Sequence, residues 1–188
     1  FCFIALVPIP EGTIIKFTDN AWTAAAGPLA TNEGTFTWTA PAGGVACGAK
    51  VCPVITGIAL STSGDQILAY QGTAASPTFI AGVNANQAAW LTTGATSSNT
   101  SYLPTGLTNG INAMVTGTTA QAGYYSGATL SGTKAVLLAA INNASNWTKS
   151  NTETSSSASN PNTFTVTGCG GVTCEATATF TEPDCTIC

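Results

Sequence analysis

Histidine and arginine are absent from this chain of 188 residues, and lysine occurs four times. Without histidine, no Ser-His-Asp or Cys-His nucleophile arrangement can be built. Without arginine, and with a net charge of −4, the chain is poorly equipped to neutralise phosphates. That argues against nucleic acid and against anionic membrane surfaces as partners. Charge of either sign is scarce: 6% of residues are Asp, Glu, Lys or Arg, against about 25% in an ordinary soluble domain. So little charge means weak repulsion between copies, which favours association. Long apolar runs are also missing. The longest stretches, 1–10 and 135–141, fall short of the roughly 20 residues that span a bilayer. No Met and no basic leader opens the sequence. The expectation is a removed signal peptide or an internal piece of a longer chain.

What is abundant is threonine, with 33 residues. Hydroxyls, amides and backbone must therefore wet most of the surface. Hydrophobic residues make up 44%, and a chain of this length can bury a sizeable core in one domain. Seven cysteines stand at 2, 47, 52, 169, 174, 185 and 188. With no histidine, zinc would need an all-thiolate site, for which these spacings are poor. Disulfides in an oxidising, extracellular setting are the expectation. Proximity in sequence suggests Cys47 with Cys52, Cys169 with Cys174 and Cys185 with Cys188. The odd count leaves one over: Cys2 could pair with the C-terminal cluster, and another cysteine would then be free or intermolecular.

Strand signals dominate the pattern. Phe3–Val7 is an apolar run stopped by Pro8 and Pro10, and Thr13–Thr18 is β-branched. Thr35–Thr39 alternates strictly, with Phe36 and Trp38 on one face and three threonines on the other. Further runs at 51–55, 58–60, 66–70 and 77–81 are punctuated by Gly and Pro every 8–12 residues, roughly the rhythm of a sandwich or barrel. Residues 84–110 read as a long loop anchored by Trp90, Tyr102 and Leu103. One short helix is expected over 134–142, capped by Ser131 or Thr133 and stopped at Asn142-Asn143, with Trp147 packing it down. Residues 163–167 alternate again as a last strand. The fold class expected is all-β, a sandwich with one short helix. It divides into a domain over 1–167 and a Cys-rich extension over 168–188.

The stretch from Phe3 to about Thr167 resembles a module of known type. The matching text is residues 3–22 (FIALVPIPEGTIIKFTDNAW), 32–44 (NEGTFTWTAPAGG), 60–66 (LSTSGDQ) and 132–141 (GTKAVLLAAI) with Asn146-Trp147. These phrases resemble the lamin-tail or immunoglobulin-like sandwich modules at the N-termini of large secreted bacterial surface proteins. The resemblance implies a β-sandwich outside the cell with no catalytic motif of its own, because enzymatic activity in such proteins belongs to other domains. It also implies a first strand preceding Phe1, and the Cys-rich tail departs from the pattern. A sandwich short of an edge strand is a template for strand addition, and the alternating run 176–180 is a candidate donor for it.

Candidate sites are few. Asp19, Glu33 and Asp65 stand in turn contexts and, with backbone carbonyls, could gather as a calcium site. The plainer reading is that they cap turns. Tyr124-Tyr125 is the best exposed aromatic pair for stacking on a glycan, since neighbouring strand residues face opposite ways. Trp22, Trp38, Trp90 and Trp147 read mainly as core or loop anchors. No catalytic residue, Ser-Lys dyad or phosphate-binding glycine loop is expected. The functional expectation is a non-catalytic structural or adhesive module of a bacterial surface protein, partnered by its own copies or neighbouring domains. The alternative is a carbohydrate- or calcium-binding display module on a larger secreted enzyme.

Overall fold

The computed structural model describes residues 1–117, 119–151 and 163–169. Strand dominates the regular structure, and the described residues hold one α-helix. In order, the elements are β1 (Phe3–Ile4), β2 (Ile14–Thr18), β3 (Thr35–Thr39), β4 (Lys50–Val51), β5 (Gln66–Thr73), β6 (Ser76–Asn84), β7 (Ala113–Val115), β8 (Ala122–Tyr125), β9 (Ser131–Thr133), α1 (Lys134–Ile141), β10 (Trp147–Ser150) and β11 (Thr165–Thr167).

The largest sheet has the order β3-β2-β5-β6-β7. Its first four strands pair antiparallel, and β7 joins β6 in parallel. Three two-stranded ladders accompany it: β1 with β4, β8 with β10, and β9 with β11 in parallel. The strict alternation of β3 is realised, with Trp38 buried, Phe36 half-buried and Thr35, Thr37 and Thr39 exposed.

Three apolar clusters follow from the pleat. On one face of the large sheet, Leu68 and Tyr70 pack with Trp22, Leu29, Trp90 and Leu107 from the loops. On the opposite face, Phe17, Trp38 and Ala69 pack against Phe3, Ile9, Val45 and Val51. The third cluster centres on Leu137 of α1 with Tyr125 and Phe164, and takes in Ile4, Leu6 and Trp147. Successive strand residues face opposite ways. Phe3 therefore enters the second cluster and Ile4 the third, so the β1–β4 ladder is a wall shared by two cores.

The helix forms as its residue types suggest. Thr133 is the N-cap, its hydroxyl accepting the Val136 N–H, and Asn142 is the C-cap. Trp147 holds the last turn by donating from Nε1 to the Ile141 carbonyl at 2.6 Å. The long loop is anchored where expected, since Trp90 is buried and Tyr102 and Leu103 pack beside it.

Several expectations are corrected. The run 51–55 contributes only Val51 to a strand and 58–60 contributes none, while Phe3–Val7 shortens to two residues. The cysteine pairing differs most. The disulfides are Cys2–Cys52 and Cys47–Cys169, so Cys47 does not pair with Cys52, Cys169 does not pair with Cys174, and Cys2 does not join the C-terminal cluster. Cys47 and Cys52 flank β4, and joining them would fold that strand on itself. Disulfide geometry needs Cα atoms within about 7 Å and converging Cβ vectors. The suggested Cys185–Cys188 pair, Cys174 and the run 176–180 lie outside the described residues.

Candidate functional site

Three strands of the large sheet present polar residues at one end: Thr18 closes β2, Gln66 opens β5 and Asn84 closes β6. Just beyond the sheet stand Asp19, Asn20, Glu33 and Asp65, so the three carboxylates singled out from sequence gather in one place. Asp19 and Asp65 are buried, at 1% and 4% exposure.

Each buried aspartate is engaged by backbone. Asp19 Oδ1 accepts the Gly34 N–H at 2.8 Å and Oδ2 the Ala59 N–H at 3.0 Å. Asp65 Oδ2 accepts the Ser61 N–H at 2.9 Å and Oδ1 the Gln66 N–H at 2.8 Å. Both therefore fasten the loop 59–61 to the sheet end, as short carboxylates at strand ends commonly do. Asn20 Oδ1 accepts the Glu33 N–H, and its Nδ2 donates to Thr18 Oγ1 and the Gly34 carbonyl. Position 34 must be glycine, because a Cβ there would strike the carbonyl oxygen of Gly57.

Glu33 differs. Its Oε2 is enclosed and has no hydrogen-bond partner. Desolvation, then the neighbouring charges of Asp65 and Asp19, raise its pKa from about 4.5 to about 7. Burial likewise lifts Asp65 to about 6, against the opposing pull of the Ser61 and Gln66 N–H groups. Raised carboxyl pKa values are what desolvation and like charges together produce.

Among the described residues, no group of three Asp, Glu or Cys side chains is placed to hold a metal ion. Gln66 has an unpartnered Oε1 and is fully buried, but its Nε2 donates to the carbonyls of Asp19 and Ser98. Gln66 opens β5 and shares the pleat face of Leu68 and Tyr70.

The remaining sequence candidates separate. Tyr124 is exposed at 36%, but Tyr125 is buried at 5%, its ring packed on Trp147 and Phe164 and its hydroxyl donating to the Thr129 carbonyl. Adjacent residues on β8 face opposite ways, so of the expected pair Tyr125 faces the third core and only Tyr124 is exposed. Trp22, Trp38 and Trp90 are core residues. Two features escaped sequence reasoning. Ser131-Gly132-Thr133-Lys134 does have Ser-x-x-Lys spacing. Ser131, however, lies in β9 and Lys134 opens α1, so no helical turn brings them together. The second is an open cleft of about 400 Å³ lined by Asn109, Val115, Asn142 and Asn143. Nothing in the local residue pattern signals it, because its two sides are more than 20 positions apart.

No protein family, curated protein or solved structure matches this chain.

Proposed function

We propose that the chain is a non-catalytic structural module of an extracellular surface assembly, built on a sandwich-like pairing of the large sheet with the β1–β4 wall. The observation that carries this reading is the use made of the buried polar groups. Asp19, Asn20, Asp65 and Asn84, the residue types from which a site would be built, all bond backbone N–H groups of adjoining loops. They serve the scaffold. Two disulfides fit an oxidising compartment, and the low charge with a threonine-lined β3 at the sheet edge fits association between copies. The sequence resemblance to secreted bacterial surface modules points the same way.

Electron microscopy and gel filtration of native material under non-reducing conditions test the reading. Ordered polymers or large assemblies are expected, and a monodisperse monomer at high concentration overturns self-assembly. One observation favours glycan binding as a second reading. The 400 Å³ cleft has no charged side chain and is lined by three asparagines, a chemistry suited to neutral sugar hydroxyls. NMR titration with neutral mono- and disaccharides tests it: shifts confined to the cleft support it, and their absence at tens of millimolar excludes it.

A further inference from the structure

Both disulfides end on the same short segment. Cys2 is joined to Cys52, and Cys169 is joined to Cys47, five positions away. A covalent path therefore runs from Cys2 across the first bridge, back along 52–47, and across the second bridge to Cys169. The two spans of chain that make the fold, 3–46 and 53–168, hang from this path as side loops.

The segment runs along the outer side of the β1–β4 ladder, with Gly48 buried and Lys50 and Cys52 exposed. It contains β4, which pairs with β1 in the wall between two cores. The Gly48 N–H donates to the Ala5 carbonyl at 2.7 Å, and the Ala5 N–H to the Ala49 carbonyl at 3.0 Å. Gly48 has a φ of +83°, and a Cβ there would strike the Phe164 carbonyl. Glycine at 48 is what lets the chain leading into β11 approach and places Cys169 beside Cys47.

We propose that this staple is a tension shunt: pulling on the chain before Cys2 and after Cys169 loads only the segment 47–52 and its two bridges, leaving the folded body out of the force path. The role rests on the structural-module reading above; the mechanical property does not. Cα–Cα distances across the bridges are 4.2 and 6.1 Å. With five residues at up to roughly 3.6 Å each, the oxidised path from Cys2 to Cys169 can reach only about 30 Å. Without the bridges the same two residues can be drawn roughly 580 Å apart.

Single-molecule pulling on the full chain with handles at both ends tests this. Oxidised protein is expected to show no unfolding step longer than about 30 Å. Adding reductant to the same folded molecules is expected to produce long steps, totalling roughly 580 Å. Opening one bridge gives a distinct length. The Cys2→Ser/Cys52→Ser protein releases about 160 Å, and the Cys47→Ser/Cys169→Ser protein about 410 Å. Because reduction in place starts from the folded wild type, the test stands even if a variant fails to fold. Steps of hundreds of ångströms from oxidised protein, or a peptide map with other cysteine pairings, overturn the shunt. A non-assembling chain with short oxidised steps refutes the polymer role and leaves the shunt intact.

Discussion

Replacing Glu33 by glutamine is expected to stabilise the protein at pH 8 and to leave it unchanged at pH 4. In the folded state the Glu33 carboxyl titrates at about 7, against an ordinary value near 4.5, because it is desolvated and faces Asp65 and Asp19. Between those values the folded protein holds a proton that the unfolded chain has released. Its contribution to stability is therefore fully present below about pH 4.5, falls as pH rises, and is gone above about pH 7. At face value the shift corresponds to roughly 3 kcal/mol. Part of the side chain is open to water, and screening leaves about 1 kcal/mol. For a domain of this size that is roughly 2–4 °C in Tm. The assay is thermal unfolding of both proteins at pH 4 and pH 8 with EDTA present. Equal Tm values at pH 8, or a less stable variant there, would refute the reasoning. Repeating the pH 8 scan in millimolar Ca²⁺ separates the cation alternative: a wild type that gains several degrees while the Gln variant does not would show that the cluster binds calcium after all.

Other consequences concern stability. Leu137→Ala empties the centre of the third core, where Leu137 is fully buried, and is expected to cost about 2–5 kcal/mol in denaturant unfolding. Gly34→Ala drives a methyl into the Gly57 carbonyl; limited proteolysis is expected to cut faster within residues 56–61, and unchanged cleavage would contradict the packing described. Thr133→Ala removes the helix N-cap and should lower stability by about 1 kcal/mol in the same unfolding assay. Opening the Cys2–Cys52 bridge, whose cysteines are 50 residues apart, is expected to cost about 4 kcal/mol on the loop-entropy account, read as a drop in Tm.

Elements with a clean local signal were legible in the sequence. The Thr-Phe-Thr-Trp-Thr alternation marks β3 to the residue, and Thr133 with Asn142-Asn143 brackets the helix to within one. The short strands were not. Ala122–Tyr125 and Trp147–Ser150 carry too few residues to show a period, and they are strands because they pair with each other across more than 20 positions. Ser131–Thr133 reads as a helix start and serves also as a strand, since Thr165–Thr167 lies alongside it. The carboxylates were identified from turn context, and their gathering at one sheet end follows from the strand order. Pairing the cysteines by proximity failed for a related reason. The bridges record contacts 50 and 122 residues apart, which local spacing does not encode.

The third core draws Ile4 and Leu6 from the start of the described chain and Phe164 and Val166 from its end. It cannot close until nearly all of that length has been synthesised. Loop-closure entropy must be overcome before such distant contacts contribute, and topologies of this kind fold slowly. During synthesis this leaves an interval in which the N-terminal strand is exposed and unpartnered on that side. That core is therefore completed only after β11 has been made and has docked beside β9.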